Sequence, residues 1–291
     1  MAAPQHPGTG APTASRDSHS GSRIPHAHLV QLNIAWHDKS VNHERVRQLL
    51  DKVDVQRGDL ILLPEMFDTG FSFAFEDTND KDGRTLTFLV ELAQDTGAIV
   101  QGGRTVAPCH ACNASNVMTV VSGDGQGRVL AEYAKMKLFS PGGEDGRFEK
   151  GRGVKTFEWS GMRVMPAVCY DLRFPELFRA GLALGAEVIA LGACWPSVRQ
   201  AHWRALLVAR AIENQCIVLG VNRVGDDPPK TTLGVGLTPG LHYAGGTVAV
   251  GPKGDVLGEL ADQSGVLSVA CDLGAVHDWR AKFPAWKDAG L

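Results

Sequence analysis

The sequence has no long apolar run. Nothing in it approaches the roughly 20 consecutive apolar residues of a membrane-spanning helix, so no membrane partner is expected. It also lacks a large net charge of either sign. With 29 Lys and Arg against 32 Asp and Glu the formal charge is −3, which gives no electrostatic reason to expect nucleic acid or an anionic membrane as partner. A dense cysteine framework is missing too. The six cysteines, Cys109, Cys112, Cys169, Cys194, Cys216 and Cys271, are scattered over 291 residues and read as reduced thiols of a cytoplasmic protein. The outlines GxSxG, HExxH and GxxxxGK(S/T) do not occur, which removes the serine-hydrolase elbow, the zinc-protease helix and the P-loop. Cys109-His110-Ala111-Cys112 has a CxxC outline, but no second CxxC or HxxxH completes a zinc site. A surface loop and no metal are expected there. Gly234 to Gly240 misses GxGxxG by one residue and carries a proline where a helix should start, so it reads as a loop.

What is present is an ordinary globular composition, 44% hydrophobic and 21% charged, able to bury a large core. Residues 1–27, rich in Gly, Pro, Ala, Ser, Thr and His, bury too little apolar area to offset ordering entropy and are expected to form a disordered tail. From there short apolar runs alternate with helical spacing. Strands are expected at His28–Ile34, Leu60–Leu63, Ala98–Val100, Asn116–Val121 and Val129–Leu138, the last two joined by a glycine-rich hairpin loop at 122–127. Strands at Arg163–Cys169, Val188–Leu191, Cys216–Val221 and up to Val250 follow, with short runs at 256–260 and 266–271. Helices are expected around Val46–Val53 and Leu86–Ala93, at Pro175–Leu184, and from Val198 to Asn214. Strand–helix–strand order with hairpins implies an α/β domain, residues 28–291, with a mixed sheet and helices outside it.

Reactive residues gather at strand ends, where α/β sheets build their sites. Glu65 directly follows an apolar strand and Pro64; a carboxyl partly withdrawn from water suits a group that must accept and return a proton. Lys135 and Lys137, two apart on an expected strand, share a face, and either could stabilise a developing oxyanion. Cys169 stands where an apolar strand turns into a helix begun by Pro175. A thiol at such an elbow is exposed beside free backbone N–H groups, and Asp171, Arg173 and Glu176 make its surroundings polar. A buried core thiol is the alternative. Cys194-Trp195-Pro196 closes another strand; Trp195 could wall a pocket or pack in the core, and Cys194 is a second nucleophile candidate without charged neighbours. A Cys–His pairing of Cys169 with His202 or His242 is the rival arrangement.

The segments LLPEMFDTGFS, YAKMKLF with the following GGE, and AVCYDLRFPELFR resemble the Glu, Lys and Cys motifs of the nitrilase (carbon–nitrogen hydrolase) superfamily, in order and at compatible separations. The resemblance runs on through GACWPSVRQAHWRALLVARAIENQCIVLGVNRVG and covers most of residues 28–291. It implies an αββα four-layer sandwich, commonly paired into homodimers. It implies Cys169 as nucleophile, Glu65 as general base and Lys135, the lysine two residues after the aromatic, as the oxyanion-stabilising cation. Glu144 matches a further carboxylate that positions substrate or water, and the backbone N–H of Tyr170 would share the oxyanion. Lys137 departs from the His more usual in close relatives. No cofactor or metal is implied. MFDTGFS, YDLRFPELFR and ACWP look most like omega-amidases, which hydrolyse the terminal amide of small 2-oxo acids such as 2-oxoglutaramate. Amidase action on deaminated glutathione or a carbamoyl compound, nitrile hydrolysis, and a non-catalytic binding protein on the same fold are the alternatives. Arg173 could attract a substrate carboxylate.

Overall fold

The computed structural model describes residues 23–107, 113–229 and 240–289. Residues 1–22 of the expected tail, the Cys109–Cys112 outline and most of the Gly234–Gly240 segment lie outside these ranges.

Two six-stranded sheets organise the chain. In the first, β1 (His26–Gln31), β2 (Leu60–Leu62) and β3 (Ile99–Val106) run parallel at the centre. Beyond β3, β4 (Ser115–Val121) and β5 (Val129–Ala134) continue antiparallel. The second sheet repeats the plan. Its parallel centre is β7 (Met162–Val168), β8 (Val188–Gly192) and β9 (Ile217–Val221). The antiparallel β6 (Phe157–Trp159) flanks it on one side, with β12 (Val248–Val250) and β13 (Val256–Glu259) on the other. Strands β10 (Val224–Asp226) and β11 (His242–Ala244) form a separate ribbon, and β14 (Gly265–Ala270) returns to pair with β1.

The period of two along a strand separates the layers. Leu60 and Leu62 of β2 point into the core shared with Val188 and Ala190 of β8 and Ile217 and Leu219 of β9. Ile61 and Leu63 point the other way, onto α1 (Lys39–Leu50) through Val46 and Leu50, and onto α3 (Arg84–Thr96) through Phe88 and Leu89. The short α2 (Phe75–Thr78) lies between them in sequence. On the far side of the second sheet, Met165, Ala167, Ile189 and Leu191 meet Leu177 and Phe178 of α4 (Pro175–Ala183) and Trp203 and Leu207 of α5 (Gln200–Asn214). A sixth helix, α6 (Leu273–Lys282), follows β14. The layers are therefore helix, sheet, sheet, helix. The pattern of elements alone pointed to one mixed sheet; the resemblance gave the four layers that are found.

One expectation is corrected here. β5 ends at Ala134, not Leu138, because only one further rung forms past Val117 and the chain before β4 pairs elsewhere, Ala114 bridging to Phe148. The last rung is the Lys135 N–H donating to Asn116 O at 2.8 Å. Past it the Lys137 N–H turns to a side chain, Asp171 Oδ1 at 2.9 Å. Lys135 and Lys137 thus do not share a face: Lys135 is fully buried, whereas Lys137 reaches the exposed Glu176.

Candidate active site

Glu65 enters the interior two residues after Leu63, where the chain leaves β2 and turns at Met66 with a φ of 43°. The strand beneath must be bare for this to happen. A Cβ on Gly103 would stand 2.6 Å from Met66 N and 2.8 Å from Glu65 Cα, so glycine is required by close approach. The buried carboxylate is fully engaged: Oε1 accepts from Asn116 Nδ2 at 2.6 Å and Lys135 Nζ at 2.8 Å, and Oε2 from the Cys194 N–H at 2.9 Å. A buried charge needs such partners.

The Lys135 ammonium also lies 2.8 Å from Glu144 Oε2 and 3.1 Å from Oε1. Glu144, likewise buried, accepts in addition from the Phe139 N–H at 2.6 Å and Asn116 Nδ2 at 3.1 Å. Two carboxylates therefore share one cation and one amide. Burial opposes the charge on Lys135, but Glu144 and then Glu65 outweigh it, and the ammonium is held well above its ordinary pKa.

Cys169 follows β7 with a φ of 44°, a left-handed conformation costly for a residue with a Cβ and characteristic of strained functional turns. Asp171 holds the elbow. Its buried carboxylate accepts from the Val168 N–H at 3.0 Å, the Lys137 N–H at 2.9 Å and the Tyr133 hydroxyl at 2.8 Å. Burial raises Asp171 to about 6, against the opposing pull of these donors and of Lys135. The thiol contacts the Cys194 carbonyl, Sγ to O 3.8 Å. Cys194 therefore presents its N–H to Glu65 and its C=O to Cys169, bringing carboxylate and thiol to one residue. Enclosure, then the negative charge of Glu65, raise the Cys169 thiol well above its ordinary range, with Lys135 opposing.

These groups open on a cavity of about 330 Å³ lined by Glu65, Lys135, Cys169, Tyr170, Arg173, Cys194 and Trp195, among others, a volume at the small end for ligand sites. Phe71 and Phe139 add aromatic wall. Trp195 answers both readings: it lines the cavity and packs on Trp203 at 5.6 Å between ring centres. Glu144 lies behind Lys135, and Lys137 lies outside. No histidine lines the cavity among the described residues. His202 is 3.3 Å from Arg173 Nη2, and His242 is 2.8 Å from Asp226, so the Cys–His alternative has no geometry to support it. Cys194 points its sulfur away, at Glu65 O, 3.2 Å.

Three participants escape a reading of the sequence. Asn116 bridges both carboxylates, and counting back across the 122–127 hairpin places it opposite Lys135. Asp171 is visible as a charge near the thiol, but its role as acceptor for the elbow is not. Arg199 lines the cavity from a 3₁₀ turn, Ser197–Arg199, where the sequence suggests only the start of a helix.

A family model described as carbon-nitrogen hydrolase matches residues 27–281. The omega-amidase YafV of Yersinia enterocolitica is 34% identical over 261 residues, 89% of this chain and 94% of that protein. The 2-oxoglutaramate amidase of Bacillus subtilis (strain 168) is 32% identical, covering 89% and 95%. Among solved structures, a CN-hydrolase superfamily protein of Xanthomonas campestris, which carries an arsenic adduct in its active site, superposes with a TM-score of 0.81 at 34% identity, over 92% of this chain and 97% of that one. An amidase of Nesterenkonia sp. AN1 with acrylamide added to its active-site cysteine gives a TM-score of 0.74 at 26% identity, over 89% and 98%. With a family model spanning nearly all of both sheets and relatives of this similarity, the chain belongs to the carbon-nitrogen hydrolase family and is an enzyme of that class.

Proposed function

We propose that the protein is an omega-amidase that hydrolyses the terminal amide of a small 2-oxo acid, such as 2-oxoglutaramate, through a thioester on Cys169. The observation that carries the reading is the meeting of Cys169, Glu65 and Lys135 at one small cavity. Relatives named for this activity support the substrate class. A thiol protonated at rest needs a base at the moment of attack. Glu65 takes the Sγ proton as sulfur adds to the amide carbon, then delivers it to the departing nitrogen, and ammonia leaves. Lys135 and the N–H of Tyr170, at the start of the turn where helical N–H groups lack intrahelical partners, hold the tetrahedral oxyanion, each donor worth about 3 kcal/mol. Water, deprotonated by Glu65, then adds to the thioester, and the carboxylic acid is released with Cys169 restored as the thiol. Glu144 keeps Lys135 in place from behind.

The same reading makes the protein a cytoplasmic homodimer. The free thiols of Cys169, Cys194, Cys216 and Cys271 suit a reducing compartment. Exposed Ile212 and Phe283 offer apolar area for a second copy to cover.

Ammonia release should be fastest from 2-oxoglutaramate in a panel with carbamoyl compounds and small nitriles. Intact mass should show an acyl adduct on the wild type and on Cys194→Ala, and none on Cys169→Ala. An adduct that survives Cys169→Ala overturns the nucleophile assignment. Faster turnover of carbamoyl compounds or nitriles moves the substrate class to them, and no turnover of any leaves a binding protein.

A further inference from the structure

Among the described residues, the charges that line the cavity are Glu65, Lys135, Asp227, Arg173 and Arg199. Glu65 and Lys135 answer one another at 2.8 Å. Asp227 is paired with the buried Arg223 at 2.7 Å and accepts from the Tyr243 hydroxyl at 2.8 Å. The two arginines remain. Among the described residues neither meets a carboxylate: Arg173 Nη2 has His202 Nδ1 at 3.3 Å, and the Arg199 guanidinium has an aromatic face. The segments outside the described residues hold one acidic residue, Asp17.

Both guanidinia are nevertheless held. Arg173 lies over Trp195, 4.8 Å from the ring centre, and 5.9 Å from that of Tyr170, the residue after the thiol. Arg199 lies 5.4 Å from the centre of Phe139, and its own carbonyl accepts from Trp195 Nε1 at 2.9 Å. An aromatic face fixes the plane of a guanidinium and leaves its N–H edge free. That edge is a fork matched to a carboxylate. The cavity thus has a reacting end, where every charge is satisfied, and two positioned cations with unspent donors.

Resting on the omega-amidase reading and going beyond it, we propose that Arg199 together with Arg173 forms the receptor for the carboxylate at the far end of the substrate. The pair makes the enzyme select amides that carry one anionic terminus. It takes no part in bond making. A neutral amide of the same length reacts at Cys169 but loses this anchorage.

The test compares 2-oxoglutaramate with 4-oxopentanamide, in which methyl replaces the carboxylate, on wild type, Arg173→Gln, Arg199→Gln, Arg199→Lys and the double Gln variant. Charge-assisted hydrogen bonds at a partly exposed site predict a KM for 2-oxoglutaramate raised roughly 10- to 100-fold by Arg199→Gln, with kcat changed by less than about threefold. Activity on 4-oxopentanamide should stay within about twofold, Arg199→Lys should recover part of the loss, and the double variant should no longer distinguish the two amides. A fall on both substrates alike, or on neither, overturns the proposal. A second arm does not need turnover. 2-Oxoglutarate should protect Cys169 of the wild type from iodoacetamide and fail to protect it in the double variant; equal protection in both, or none in the wild type, also overturns the proposal. If the wild type is protected yet hydrolyses neither amide, the omega-amidase reading fails and the carboxylate receptor stands.

Discussion

Lys135 Nζ stands 2.8 Å from an oxygen of Glu65 and 2.8 Å from an oxygen of Glu144, with all three side chains fully buried. Replacing this one cation leaves two carboxylates facing each other without water, the situation in which breaking a buried pair costs about 3–5 kcal/mol. Lys135→Met should therefore lose both stability and turnover, the latter by at least about 100-fold for a missing oxyanion donor. Lys137 is the opposite case. Its partner Glu176 is exposed, and its ammonium lies over Phe174 at 4.7 Å, so Lys137→Met should cost under about 1 kcal/mol and retain most of the activity. Urea melts beside ammonia-release rates check both, and a reversed order for the two lysines would mean that the oxyanion-stabilising lysine was misassigned.

At the scale of elements, α1 and α3 meet through His43, which stacks on Phe88 with ring centres 4.0 Å apart and planes 6° from parallel. Burial first, then the cations Arg84 and Lys39, lower its pKa from 6.5 to about 4. The unfolded chain takes up a proton near pH 6.5 that the folded chain refuses until about pH 4, so this residue's contribution to stability falls as pH drops through that window. His43→Phe keeps the stack and removes the proton site. Its Tm should rise relative to wild type as pH is lowered from about 7 to about 4, and an unchanging gap would contradict the assignment. The same helix shows what local sequence reveals: Gly97 is readable as the stop of α3 because a left-handed residue must stand there, and its φ is 69°. β3 is not readable in this way. The sequence suggests a strand at Ala98–Val100, yet the strand continues to Val106. Gly103 makes room for the turn that carries Glu65, Gln101 donates to Ala190 O at 3.0 Å, and Arg104 pairs with Asp80 at 3.0 Å. Each reason lies on a distant part of the chain, as it does for Asn116. The three motifs that carry Glu65, Lys135 and Cys169 are local and could be found, whereas the groups that hold them together are tertiary.

Over the whole molecule the site is a product of how closely two sheets approach. Glu65, Asn116 and Lys135 come from the first sheet, and Cys169 and Cys194 from the second. A close seam is at Gly192, the last residue of β8. A Cβ there would fall 2.4 Å from Met118 Cε, 2.8 Å from Leu63 O and 3.2 Å from Glu65 N. Met118 can swing aside, but the backbone of residues 63–65 cannot without carrying Glu65 with it. Gly192→Ala should therefore cost about 1–3 kcal/mol by overpacking. It should also lower kcat of the folded fraction by at least tenfold, because misplacement of a reacting group by about 1 Å costs on the order of 100-fold. Gly181 in α4 is the control. Its Cβ would meet chiefly the Met165 side chain, Sδ at 2.3 Å, and alanine gains about 0.5–1 kcal/mol of helix preference in return. Gly181→Ala should consequently leave kcat within about twofold, because it presses on the flexible Met165 side chain and not on the backbone that carries Glu65. Active-site titration of Cys169 with iodoacetamide gives the folded fraction for both variants. If Gly192→Ala loses stability but not kcat per titrated site, the inter-sheet spacing does not set the distance between base and thiol.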